Sequence, residues 1–434
     1  MDDLIPKPYQ IDENCWIQIF QYLNLRDKWS LASTNDYLMN IFKTPTVLQG
    51  LTHIDLSSIS NNPLTDHEIH RLLCLANKYV ISFTGSMAFK DNSEQHVWLL
   101  RDYCPNLRKL KLLFIRDMSK TLKDLPNIEE LHARLHFGKL SIENRRALEH
   151  LRNLKRLTLE ASNYFGDELC RLSRLEYLEI GSHGFDAAAL TECCITMGDL
   201  RHLNMGHKIE GLSTDHFITI AEECAQLERL AFGIRNLDTN VEYEFVCRLP
   251  KLQHLFVWIN GAVRPEFLVG LINKVAQPKP IESLILVGSR LPLEQVNLVC
   301  QITSLKELDI SCEATAIQDL LNLRNVKYLH LTMPEITNDQ LKELILNLPQ
   351  LILLNVRSCR LITEQFVASI LELLPHIENR MRKKIKIHLK GSDINWSQID
   401  HKLLQRKKAV VEIINETLEE PILIRQELTM NQSN

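Results

Sequence analysis

"LRNLKRLTLE", residues 151–160, decides how this chain folds. Leu154, Leu157 and Leu159 stand in an L-x-x-L-x-L pattern. The last two alternate at period two, so they face one side of a short strand. Near-copies run along the chain: "PNLRKLKL" ends at Leu112, "PNIEELHA" at Ala133, "SRLEYLEI" at Ile180, "GDLRHLNM" at Met205, "AQLERLAF" at Phe232 and "PKLQHLFV" at Val257. "PIESLIL", "SLKELDI", "NVKYLHL" and "QLILLNV" carry the series to Val356. From Leu107 to Leu351 the leading apolar residue recurs at steps of 21 to 29 residues.

That period and pattern mark a leucine-rich repeat. "GLTHIDL" at 50–56 reads as an earlier unit, and a degenerate one falls around Val80–Phe83. Between strands the pattern changes to helical spacing. "STDHFITIAEEC" (213–224) and "ITNDQLKELILNL" (336–348) carry apolar stripes at i, i+3 and i+4. One unit has too little partner surface to bury both faces, so units stack and share a core. The expected class is α/β: a horseshoe solenoid with a parallel concave sheet and a helical convex side. The likeness is to cysteine-containing leucine-rich repeats, carried by "LLRDYCPNLRKLKL" (99–112), "ITIAEECAQLERLAF" (218–232) and "LILLNVRSCRLITEQF" (351–366).

Ahead of the repeats stands "IDENCWIQIFQYLNLRDKWSLASTNDYLMNIF", residues 11–42, which resembles none of them. Trp16, Ile19, Phe20 and Leu23 share one helical face, and Asp12 is placed to cap that helix. With "IFQYL" at 19–23, Asp27 four residues later, and Leu31, the stretch resembles an F-box. It is a divergent one. Ile11-Asp12 replace the usual Leu-Pro, Thr34-Asn35 the Val-Cys pair, Leu38 a common Trp, and Lys28 an apolar residue. The resemblance implies a small all-α module that binds the Skp adaptor of a cullin–RING ubiquitin ligase. Ile11, Trp16, Ile19, Phe20, Leu23, Asp27 and Leu31 would make that contact. It also implies a substrate receptor of a Skp–cullin–F-box ligase, with an unknown protein target on the repeats. The alternative is an interaction scaffold or inhibitor whose N-terminal helices only cap the solenoid.

The solenoid pattern places three residues of each strand on the inner face. Most are polar and mixed in sign. Phe256, Trp258, Ile285 and Val287 form an apolar cluster on neighbouring strands, rimmed by Arg229, His254 and Tyr328. These seven are the candidate substrate-binding residues.

Charge and motifs narrow the classes. A formal net charge of −4 gives no footprint for nucleic acid or membrane. No apolar run is long enough to span a bilayer, and "MDDLIPKPYQ" lacks a signal-peptide pattern. Eleven scattered cysteines suit free thiols in a reducing compartment, cytoplasmic or nuclear. No zinc spacing, phosphate loop or nucleophile motif is present, so the expectation is a non-enzyme with no cofactor and no metal. Expected boundaries are 8–48 for the helical module, 49–390 for the repeats, 391–420 for a closing region with a helix over 401–418, and 421–434 for a partly ordered tail. "RMRKKIKIHLK" (380–390) reads as a final edge strand with its lysines outward.

Overall fold

The computed structural model describes residues 11–59, 62–85, 93–114, 122–139, 146–162, 166, 168–181, 185–206, 209, 211–234, 240–259, 261–314, 317–370, 373, 384–399 and 411–414. The chain divides into two compact units, with Leu200 in the first and Arg201 opening the second, apart from a short exchange at 208–210.

The first unit opens with four helices: α1 (Glu13–Tyr22), α2 (Leu25–Ala32), α3 (Asp36–Phe42) and α4 (Pro45–Leu48). Asn24 and Asn35 cap α2 and α3, each side chain accepting from a backbone N–H three residues on. Asp12 occupies the N-cap of α1, but its side chain makes no capping bond. Phe20 packs on Phe42 at 5.6 Å, and Trp29 meets Phe42 edge-on at 6.0 Å. Phe20, Trp29 and Phe42 are all fully buried, so the module has an aromatic core of its own.

Repeats follow directly. In the first unit β1 (His53–Asp55), β2 (Ser82–Thr84), β3 (Lys109–Phe114), β4 (Glu130–Lys139), β5 (Arg156–Ser162) and β6 (Tyr177–Ile180) pair in order, all parallel. Helices α5 (Asp66–Ala76) and α6 (Ser93–Tyr103) fill the gaps between the first three strands, and α7 (Ala187–Thr196) follows β6. β1 and β2 are the two early units that the sequence showed only faintly.

The second unit repeats the scheme. Strands β7 (His202–Asn204), β8 (Arg229–Ile234), β9 (His254–Ile259), β10 (Ser283–Leu291), β11 (Glu307–Cys312), β12 (Tyr328–Thr332), β13 (Leu353–Arg357), β14 (Ile385–His388) and β15 (Val411–Ile414) are parallel throughout. Between them lie α8 (Thr214–Glu223), α9 (Pro265–Asn273), α10 (Leu293–Cys300), α11 (Ile317–Leu320) and α12 (Asn338–Asn347). The fold is an α/β leucine-rich-repeat solenoid.

Its register explains its core. Leu230, Leu255, Leu284, Leu308, Leu329 and Leu354 align in one row across β8–β13, each at most 2% exposed. Residues one position to either side point to the opposite, open face. Two of the helices show how the sequence closes each repeat. Thr337 accepts from the Gln340 N–H, and Gln340 returns a bond to the Thr337 N–H at 2.9 Å. Ser213 and His216 make the same reciprocal cap on α8, with His216 in the role usually taken by Glu or Gln. We expect Thr337→Ala to lower stability by about 1 kcal/mol, read as a shift of the urea midpoint with unchanged slope.

None of the eleven cysteines, all of them among the described residues, forms a disulfide. Burial pushes the thiols of Cys104, Cys247 and Cys312 up to about 12 and that of Cys359 up to about 11. They act as small apolar residues of the core rather than as nucleophiles.

Two expectations for the C-terminal end change. Residues 411–414 form a strand, where the pattern over 401–418 suggested a helix; residues 401–410 and 415–434, including the expected tail, lie outside the described residues. "VEII" fits either period, and the exposed backbone of β14 offers it hydrogen-bond partners, with Ile385 opposite Val411 and Ile387 opposite Ile413. Consequently β14 is not the final strand. It is paired on both sides, by β13 and β15, and Lys386 points outward from an interior strand. Residues 380–383 of the basic run, and 8–10 of the expected module, lie outside the described residues.

Candidate protein-interaction surfaces

Helix α1 separates its residues sharply. Trp16 and Phe20 face inward, Phe20 with no exposure at all. Ile19 is 36% exposed and Tyr22, one turn further on, is 90% exposed. Ile11, Leu23 and Leu31 are half-buried at the margins. Asp27 is exposed, but its carboxylate accepts from Asn24 Nδ2 at 2.7 Å while its N–H donates to Asn24 Oδ1 at 2.9 Å. It therefore fixes the entry into α2. Of the seven candidate adaptor residues, then, Ile19 is exposed and apolar, Ile11, Leu23 and Leu31 are partly so, and Trp16 and Phe20 hold the module together. Sequence reasoning passed over Tyr22, although its i+3 spacing from Ile19 was visible. Lys28, at a position apolar in F-boxes, is half-buried, and burial lowers its pKa.

The module is also tied to the first repeat helix. Arg26 Nη1 lies 3.1 Å from Glu68 Oε1, and the Arg71 guanidinium sits 5.6 Å from the centre of the Trp29 ring. Burial alone would push Glu68 up. Hydrogen bonds from Thr65 and the Arg26 charge outweigh it, and the carboxyl falls below its ordinary value.

On the open face of β3–β6 the charges neutralise one another across strands. Lys109 pairs with Glu130 at 3.5 Å, and Arg156 also reaches Glu130, at 3.9 Å. His132 and Arg134 both hold Glu160, each at 3.2 Å. The hydrogen bond from His132 is the largest of the effects that hold Glu160 below the usual carboxylate range. Arg156 stacks on Tyr177 at 4.2 Å, and the Tyr177 hydroxyl donates to Glu179 at 2.7 Å.

The open face of β8–β14 is built differently. Register places Phe256 beside Ile285, and Trp258 between Gly233 and Val287. The Phe256 and Trp258 rings stack at 4.0 Å with 34° between their planes. Phe256 and Trp258 are half-buried and Val287 is 37% exposed, whereas Ile285 is 1% exposed and serves as a floor. Arg229 and His254 lie one row below on β8 and β9. Tyr328 is not part of this rim. It sits on β12, and between it and β10 stands Glu307, fully buried and accepting from the Ser283 hydroxyl at 2.8 Å. Burial, with the charges of Arg229 and Lys306, pushes His254 down to about 3, so it is neutral at physiological pH.

Further along the same face is a polar row whose burial the sequence did not reveal. Asp309, His330, Asn355 and His388 align across β11–β14 and are at most 7% exposed. His330 Nδ1 and Asn355 Nδ2 are 3.0 Å apart. Arg357 reaches across β12 to ion-pair with Asp309. Burial is the main cause that pushes His330 down to about 3, with Arg357 and His388 adding to it.

No protein-family model matches the chain, and no curated protein is significantly similar to it. Solved structures do match. The chain is similar to the yeast complex of Rad7 and Elc1, at 14% identity and a TM-score of 0.48, covering 81% of this chain and 90% of that one. It is similar to an internalin of Listeria monocytogenes, at 15% identity and a TM-score of 0.37, with 86% and 89% covered. The mouse RP105/MD-1 complex matches at 16% identity and a TM-score of 0.39, with 81% and 64% covered.

Proposed function

We propose that this protein is the substrate-recognition subunit of a Skp–cullin–F-box ubiquitin ligase. The observation that carries this reading is the two-sided α1. In the stretch that resembles an F-box, Trp16 and Phe20 build a separate core while Ile19 and Tyr22 remain at the surface. Exposed apolar side chains on a self-contained module serve a partner better than they serve the fold.

On this reading the module docks on the Skp adaptor and the repeats hold a target protein. A conjugating enzyme bound elsewhere in the ligase then transfers ubiquitin to a target lysine. The chain itself is non-catalytic and takes no cofactor. It acts by raising the effective concentration of two reactants and orienting them. A cytoplasmic or nuclear location fits that work and the reduced cysteines.

A second reading, an interaction scaffold with a capped end, is favoured by the Arg26–Glu68 pair and the Arg71–Trp29 contact, which bind the module to α5. One experiment separates the two. Purified Skp adaptor is used to capture the full chain, wild type against Ile19→Asp/Tyr22→Asp. Both replaced residues are exposed, so the variant keeps its fold. We expect adaptor capture by wild type and at least a tenfold loss in the variant. Folded wild type that fails to bind the adaptor would leave the scaffold reading.

A further inference from the structure

We propose that the open face of β8–β14 captures an acidic, extended segment of a partner protein, anchored by one large apolar side chain on the Phe256–Trp258 platform. This deepens the reading of the repeats as the part that holds the target.

Charge carries the argument. Among the described residues within strands β8–β14, the carboxylates on this face are Glu307 and Asp309, and both are buried; the exposed Glu313 follows directly after β11. Glu307 is bonded to Ser283, and Asp309 is paired with Arg357. Arg290 and Lys386 on the same face are exposed and Arg229 is partly so, while Arg357 is balanced by Asp309. A bulge places Arg290 there. The register slips between Ile285 and Arg290, Gly288 takes a φ of 94°, and Arg290 arrives opposite Ser311 on the open face. Within these strands the accessible charge is therefore positive, carried by Arg229, Arg290 and Lys386, in a chain whose formal net charge is −4. The face of β3–β6 offers the contrast, because its ion pairs leave mixed signs at the surface.

Shape supplies the anchor. Phe256 and Trp258 stack, Val287 borders them on β10, and Gly233 puts no side chain on the other flank of Trp258. An incoming side chain finds an aromatic floor, and among the described residues β8 sets only Ala231 and Gly233 beside it. His254 is neutral beside this platform, so it adds no charge of its own. Desolvated aromatic anchors ringed by charge dominate peptide affinity, and the charges mainly set approach rate and specificity. Nucleic acid fits less well. Few cations reach the surface here, and the aliphatic Ile285 and Val287 offer a base little to stack on.

The test is a selection of displayed random twelve-residue peptides on the full chain alone, counter-selected against Trp258→Ala. Enriched peptides are then labelled and titrated by fluorescence polarisation. We expect enrichment of Asp and Glu around a Trp, Phe or Leu. Trp258→Ala should weaken binding at least tenfold, and Arg290→Glu several-fold, with the charge-dependent part fading as salt is raised. Thermal melts of both variants confirm that they fold, and Arg290 is exposed enough for its replacement to be tolerated. Lack of enrichment, peptides without acidic bias, or affinities indifferent to both variants would overturn the proposal. So would a labelled twenty-nucleotide oligo-dT that binds with the same Trp258 dependence. Adaptor capture is a separate readout. Peptide binding without adaptor binding leaves this surface standing while the ligase reading falls, and the reverse result does the opposite.

Discussion

Replacing Phe20 by alanine is expected to unfold the amino-terminal helices and leave the repeats standing. Phe20 is fully buried and packs on Phe42, which in turn meets Trp29. Truncating a buried phenylalanine costs roughly 3–5 kcal/mol. A four-helix module this small has a minor core, so that loss exceeds what it can spare. The repeats draw their stability from neighbouring units and need not follow. Hydrogen exchange is the measurement: amide protection across 13–48 should collapse while that of β8–β13 is kept. Adaptor capture should vanish with it. Ile19→Asp/Tyr22→Asp, by contrast, should lose capture with protection intact, which divides residues that build the module from residues that present it. Unchanged protection in Phe20→Ala would show that α1 is held by the first repeat instead.

Mild acid should destabilise the second unit strongly. His254 and His330 are both pushed down to about 3 by burial, with nearby cations adding to the effect. An unfolded histidine titrates near 6.5. Below that value the unfolded chain binds protons that the native chain refuses, so stability falls as pH drops from about 6.5 towards 3. At pH 5 each histidine contributes a loss of about 2 kcal/mol, and the pair about 4 kcal/mol. They stand on β9 and β12, far enough apart to add. Asp309, which faces His330 from β11, works the other way. Burial raises its carboxyl despite Arg357, so protonating it in the native state recovers part of the loss in acid. Urea midpoints from pH 7 to pH 5 test this, and His254→Asn/His330→Asn should flatten the profile. An unchanged slope in that variant would place the acid sensitivity elsewhere.

Much of the fold was legible because period two and a repeat of 21 to 29 residues are local signals. They placed every strand from β3 to β13, pointed to β1 and β2, and gave the cross-strand register that brings Phe256 beside Ile285. The helix cap read from the sequence, Asp12, stands at the N-cap of α1 but makes no side-chain bond. Exposure was not legible. Ile285 and Val287 stand on one face of one strand, yet one is a floor and the other is open. Tyr328 shares this face but stands beyond Glu307, outside the patch.

What the sequence determined by itself is the repeat, its phase, and an amino-terminal helical stretch of a different kind. Each is written in spacings of a few residues, which backbone geometry converts directly into a face of a strand or helix. Tertiary structure alone decided which side chains on those faces remain accessible. Arg357 neutralises Asp309 from two strands away, Ser283 occupies Glu307, and a bulge at Gly288 turns Arg290 onto the open face. Phe20 goes inside while Ile19, its neighbour, stays out. The pairing of β15 with β14 belongs with these, because "VEII" had two acceptable conformations until a strand edge lay beside it. In every case the deciding partner lies 20 or more residues away or depends on a local break in register, and no short-range pattern records it.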